Sequence, residues 1–216
     1  GANDAAQARS TLRQGIMSVF IVSAMFALIA LSISPFLPTW LGGDASITPT
    51  SSAYFAIVAS ALPIFQFSMF GSGMLRSSGN MVVPSIMSVV MMTLDVIFNF
   101  FLIFETRTVD VLGISLTIPG AGMGVVGAAI GTASAELVAA SITMYILCFR
   151  SKDLSLRIDR GRFLPTWQVV RRALHIGLPM GIQQTIMTSA YIVTTIIIAP
   201  LGTFAIAANS FGIIVE

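Results

Sequence analysis

The 23 residues from Val82 to Phe104, VVPSIMSVVMMTLDVIFNFFLIF, hold one charged side chain, Asp95. As a helix rising about 1.5 Å per residue, such a run crosses a hydrocarbon layer roughly 30 Å thick. Asn99 follows Asp95 by one turn, so a carboxylate and an amide share one helix face. Both are costly to place in lipid, and that face is expected to turn toward protein or a wet cavity. Function is sought there.

Only 9% of the chain is charged and 56% is apolar, against about 25% charged residues in soluble domains. The fold class is therefore all-α integral membrane. The formal net charge of +2 comes from basic residues placed between apolar runs, without the aromatic-interleaved basic surface of a nucleic-acid binder. Cys148 is the single cysteine, which excludes a disulfide framework or a thiolate metal cluster within the chain. The opening GANDAAQARS lacks the basic-then-apolar order of a signal peptide. Both ends read like cuts through a longer protein.

The apolar runs predict about five complete transmembrane helices and part of a sixth. Leu12–Leu37 is the first, followed by a loop over Gly42–Ser51. Ala53–Leu75 is the second and carries Pro63, Gln66 and the small run Gly71-Ser72-Gly73, tolerable where neighbouring helices satisfy freed backbone groups. After a tight turn at Ser77-Ser78-Gly79-Asn80 comes Val82–Phe104. In Glu105–Gly122, Val109 and Val111 and then Ile114, Leu116 and Ile118 alternate like a small hairpin outside the bilayer. Met123–Phe149 is the fourth span; Gly127, Gly131 and Ala135 give it a smooth face for close helix approach, and Thr132 and Glu136 repeat the one-turn polar spacing. In the basic segment Arg150–Arg172, Phe163, Leu164, Trp167 and Val170 fall at helical spacing, so Phe163–Arg172 is expected to lie along the membrane surface. Leu174–Leu201 is the fifth span, with Pro179, Gln183 and Gln184; Gly202 turns the chain and Ala205–Val215 begins a sixth.

Charge sets the orientation. With five spans, Arg9, Arg13, Arg76 and the seven Lys/Arg of 150–172 fall on one side and only Arg107 on the other. That asymmetry marks the first side as cytoplasmic, with loops 76–81 and 150–172 inside a cell membrane crossed several times.

A carboxylate removed from water is neutralised by a proton or demands a partner cation. The Asp95 carboxylate, Asn99 amide oxygen, Thr132 hydroxyl and a backbone carbonyl would together suit Na⁺, and Glu136 could join that shell or take a proton itself. The plainer reading of Asn99 is a bond that holds two helices together, whereas an intramembrane carboxylate is functional by default. Gln66, Gln183 and Gln184 are candidates for a substrate path, although glutamines in membrane helices more often bridge neighbours. His175 follows Arg171 and Arg172, where a surface role outweighs proton relay. The methionine-rich middle, which includes Met69, Met87, Met91 and Met92, is mostly core filling, yet flexible thioethers also suit a pocket for varied apolar cations. No metalloprotease His pair, phosphate-cradling Gly-Lys-Ser/Thr loop or nucleophile with a positioned base is present, so catalysis is the weaker class.

The segment GSGMLRSSGNMVVPSIMSVVMMTLDVIFNFFLIF and the following GAGMGVVGAAIGTASAE resemble the fourth to sixth helices of the multidrug and toxic compound extrusion (MATE) transporters. HIGLPMGIQQTIMTSAYIVTTIIIAPLGTFAIAANSFGI is similar to the start of that family's second half, so the likeness extends over nearly the whole chain. The resemblance implies two six-helix bundles flanking a cleft, which export organic cations or drugs by alternating access in exchange for Na⁺ or H⁺. It places 1–149 in the N-terminal bundle as helices three to six, 150–172 in the cytoplasmic linker and 173–216 at the start of the C-terminal bundle. Family ion-site positions fall on Asp95, Asn99 and Thr132. The family commonly has Asn before Asp in its fifth helix, whereas here Asp95 precedes Asn99, and its first-helix carboxylate lies outside this chain. No cofactor beyond the coupling ion is implied. Bending near Pro63 or Pro84 is the expected conformational device. The competing readings are a flippase for lipid-linked precursors, which would need Arg inside its cavity, and a membrane enzyme or assembly subunit.

Overall fold

The computed structural model describes residues 2–40, 48–111, 114–151, 154–156 and 164–198. The sixth span at Ala205–Val215, the turn at Gly202, and Lys152, Arg157, Arg160, Arg162 and Phe163 lie outside the described residues. The chain divides into two compact units, Gly1–Pro165 and Thr166–Glu216.

In the first unit, α1 (Ala2–Ile33) is followed by the four-residue α2 (Leu37–Trp40). The first span thus ends at Ile33 and not at Leu37. Pro35 has no N–H to donate and disfavours helical geometry in the residue before it. Ser34 is buried at this break and donates its hydroxyl to the Ser52 carbonyl at 2.9 Å. α3 (Thr48–Ser77) begins earlier than the apolar run, and its first turn takes up Thr48–Ser51. It keeps Pro63 in its interior.

The turn between α3 and α4 (Val82–Ile103) follows its composition. Gly79 adopts φ +84°, a region that favours glycine. Asn80 Oδ1 accepts the Val83 N–H at 3.1 Å, which satisfies one of the free donors at the start of α4. Pro84 lies in that same first turn and is buried, so it displaces no helical hydrogen bond. Pro63, by contrast, lies in the interior of α3, where a proline removes a helical hydrogen bond.

β1 (Glu105–Val111) and β2 (Ile114–Ala121) form the antiparallel hairpin that the alternation predicts, with Arg107 paired to Ile118 and Val111 to Ile114. The register is irregular between Glu105 and Arg107. Arg107 returns over the end of α4, with its guanidinium carbon 4.5 Å from the Phe104 ring centre and 5.0 Å from that of Phe100. α5 (Gly124–Tyr145) then runs into one π-helical turn, Ile146–Arg150.

α5 is the centre of this unit, packed against both α3 and α4, while α1 packs against α3. Gly127, Ala129, Gly131, Ala135, Ala139 and Ala140 of α5 are all buried. Small side chains let backbones approach closely, the usual route to helix association where lipid removes the hydrophobic driving force. The outward faces carry large exposed apolar residues such as Phe26 and Leu28 on α1 and Val89 and Val96 on α4. At one end of the bundle Leu12, Leu75, Leu147 and Leu154 form a buried cluster, so the start of α1, the end of α3 and the end of α5 meet there. Arg13, 2% exposed, donates from Nη2 to the Leu156 carbonyl at 3.2 Å beside it.

Among the described residues four helices are long and apolar enough to cross a membrane: Gln7–Ile33, Thr48–Ser77, Val82–Ile103 and Gly124–Arg150. The second unit contributes α6 (Trp167–Ile198), where the fifth span was expected. α6 is continuous from Trp167, so Trp167–Arg172 opens this long helix and does not form a separate helix along the surface. The apolar spacing of that stretch is met by the first turns of α6 itself.

Candidate functional site

The α4–α5 seam is built on glycine. A Cβ placed on Gly127 would lie 2.5 Å from the Leu102 carbonyl oxygen, and one on Gly131 would collide with Asn99 Oδ1. Advancing four residues on α5 therefore moves three residues back on α4, an antiparallel register. One further turn brings Asp95 level with Ala135, itself fully buried. The smooth face expected of Gly127, Gly131 and Ala135 is thus the surface that receives Asn99.

Asp95 Oδ1 and Asn99 Oδ1 are both buried, and neither has a hydrogen-bond partner among the described residues. Two acceptor oxygens one turn apart on one helix are left with no donor. A buried polar atom without a partner costs about 1–3 kcal/mol, and more when charged. A proton or a cation is the chemistry that such a pair accepts.

Thr132 is half-buried and follows Gly131, about 100° further round α5. It therefore lies on the stripe of Glu136 and not on the stripe that touches Asn99. Glu136 is buried at mid-helix and lines a cavity of about 140 Å³ that includes Ser68 and Ser72 of α3 and Met87, Ser88, Met91 and Met92 of α4. The structure brings Asp95 and Asn99 to the seam and turns Glu136 toward α3. Asp95 is not among the residues that line the Glu136 cavity.

Gln66 lines a larger, mainly apolar cleft of about 510 Å³ between α1 and α3, with Ser18, Val22, Ser23 and Phe26. Gln183 lines a cleft along α6 with Leu178, Pro179 and Ile186, while Gln184 is exposed in its own unit. His175 is likewise exposed in α6.

Sequence reasoning passed over Ser68, Ser88 and Thr143, and took Ser72 only as part of a small-residue run. Thr143 Oγ1 is buried without a partner among the described residues, where α5 meets Gly71 of α3. The Ser68–Ser72 spacing of one turn was a legible signal; nothing around Thr143 was.

Several apolar helices, outward apolar faces and buried polar groups between them define a multi-pass α-helical membrane protein. Residues 1–101 match the model of the family described as MatE. It is 24% identical over 173 residues to the probable multidrug resistance protein NorM of Thermotoga maritima, covering 80% of this chain and 34% of that protein. It is also 24% identical over 91 residues to the multidrug resistance protein MdtK of Yersinia pestis, covering 42% of this chain and 20% of that one. The chain therefore spans about a third or less of the relatives it matches. No solved structure matches it.

Proposed function

We infer that this chain is part of a cation-coupled antiporter that exports organic cations or drugs by alternating access, with Na⁺ or H⁺ as the coupling ion. The observation that carries this reading is the pair of buried, unpartnered oxygens on Asp95 and Asn99 in the α4–α5 seam. A proton or Na⁺ arriving there neutralises the carboxylate and satisfies both acceptors, with the Thr132 hydroxyl as the further ligand of the expected set. Binding favours whichever packing of the helices brings these groups together, by no more than the ion's differential affinity for the two states. The Pro63 break in α3 is the position at which a helix can bend without losing a further hydrogen bond.

The cleft lined by Gln66 falls within the roughly 300–1,000 Å³ of typical ligand pockets and is walled mainly by apolar groups, as a path for apolar cations requires. The multidrug resistance named for both relatives supports the same reading. The domain reading places 1–149 in the first bundle, 150–172 in the linker and 173–216 in the second bundle. The end that holds Arg13, Arg76 and Arg150 is then cytoplasmic, by the excess of positive charge.

Dye efflux from vesicles under imposed Na⁺ or H⁺ gradients is the direct test. Efflux driven by one gradient, and lost in Asp95→Asn with membrane insertion intact, is the expected result. Undiminished gradient-driven efflux in that variant removes Asp95 from the mechanism.

A further inference from the structure

We propose that Glu136, Ser68, Ser72 and Ser88 form a binding site for a hard monovalent cation, Na⁺, distinct from the Asp95–Asn99 pair. The proposal stands on the cavity between α3, α4 and α5 and does not depend on the coupling role given to Asp95.

Glu136 is 8% exposed at the middle of the helical stretch Gly124–Arg150, so its carboxylate lies at the depth of a bilayer core. No described hydrogen bond or ion pair engages it. A carboxylate at that depth is charged only beside a counter-ion.

The cavity wall supplies the remaining ligands. Ser68 and Ser72 stand one turn apart on α3 and both face the cavity. Ser60 and Ser77 of the same helix return their hydroxyls to the Ile57 and Met74 carbonyls, at 2.7 and 2.9 Å. Ser68 and Ser72 make no such bond among the described residues, which leaves their oxygens to the cavity. Ser88 gives its proton to the Pro84 carbonyl at 3.0 Å, so its oxygen lone pairs remain available as acceptors. One carboxylate and three hydroxyls from three helices therefore line the same cavity.

Size and charge select the ligand. About 140 Å³ is well below the roughly 300 Å³ at which pockets for drug-sized molecules begin. It accommodates an ion with a few waters, each taking about 30 Å³. A single carboxylate balances a single positive charge, whereas Ca²⁺ calls for six to eight oxygens, usually from several carboxylates. A proton on Glu136 would settle the charge and leave three hydroxyl oxygens idle. The thioethers of Met87 and Met91 favour soft cations, but the oxygens facing them favour a hard one.

The test is equilibrium binding of radiolabelled Na⁺ to the purified protein in detergent, at constant ionic strength with choline as the replacement cation. Glu136→Gln is expected to weaken one Na⁺ site by about tenfold or more, as loss of a metal-site partner does. The double variant Ser68→Ala/Ser72→Ala keeps the carboxylate and nearly the same packing, and the same site is expected to weaken again. Asp95→Asn leaves this site in place. Unaltered Na⁺ binding in Glu136→Gln, or in the double serine variant, overturns the proposal. So does displacement of Na⁺ by micromolar Ag⁺ that disappears in Met87→Leu/Met91→Leu, which assigns the cavity to its thioethers. Failure of the coupling reading has a different signature: efflux unchanged in Asp95→Asn, whatever Glu136 binds.

Discussion

Gly131 of α5 rests directly against the side-chain carbonyl of Asn99 of α4, so the volume that a Cβ would need is already held by the amide oxygen. The glycine and the asparagine are one packing unit. The closeness of the helices and the burial of the polar group have the same cause.

Gly131→Ala is therefore expected to displace the Asn99 amide, at a cost of about 1–3 kcal/mol of stability, typical of overpacking. Gly127→Ala meets backbone, the Leu102 carbonyl, and is expected to cost at least as much. Gly73→Ala meets nothing within 4 Å and serves as the control. Thermal unfolding of the three variants in detergent checks the order, and a Gly131→Ala protein as stable as Gly73→Ala would contradict the seam.

Asn99→Leu removes one of the two unpartnered buried acceptors on α4 and is expected to raise or preserve stability while abolishing gradient-driven efflux. Replacing a buried polar group that lacks partners by an apolar one of similar size relieves its desolvation cost. Efflux and melting temperature measured on the same preparation separate this outcome from unfolding, which would lower both.

Arg13→Gln loses a charged donor to the Leu156 carbonyl in a buried setting. Hydrogen bonds that involve a charged group are worth about 1.5–3 kcal/mol, and a loss in that range is expected. Amide hydrogen exchange should quicken at Leu154–Leu156 and around Leu12 while the hairpin stays unchanged.

Arg107→Ala removes the guanidinium that lies over Phe100 and Phe104. At an exposed position such contacts contribute about 0.5–1 kcal/mol. The expected effect is local: faster exchange at Glu105–Thr108 with no shift in global unfolding, and partial recovery in Arg107→Lys.

Leu75→Ala empties part of the four-leucine cluster in which Leu75 is fully buried. A cost of about 2–5 kcal/mol is expected, as for other large-to-small core changes. A melting temperature within a degree of wild type would show that this end of the bundle is held by something else.

Much of the fold was legible in the order of residues because membrane helices announce themselves by length and apolarity alone. The spans at α1, α3, α4 and α5, the turn at Gly79-Asn80 and the hairpin after Glu105 all follow from local rules. One local reading differs for a local reason. The apolar spacing at Trp167–Arg172 suits a surface helix as well as the first turns of a long one, and it belongs to α6. The candidate site was legible in part. Asp95 and Asn99 stand out because a carboxylate and an amide are rare in an apolar run, and their shared face follows from helical spacing.

Spacing along one chain states which residues share a helix face, and it determined here that Asp95 goes with Asn99 and Thr132 with Glu136. It cannot state which faces meet, because that depends on how closely two helices approach and at what register. Only the packed bundle decided that Asn99 lies against Gly131 while Glu136 turns away toward the α3 serines. The physical reason is the absence of a Cβ at Gly127 and Gly131. That absence lets α4 and α5 close on each other, sets their register, and thereby sends two carboxylates that the sequence alone would pool into one site toward different neighbours.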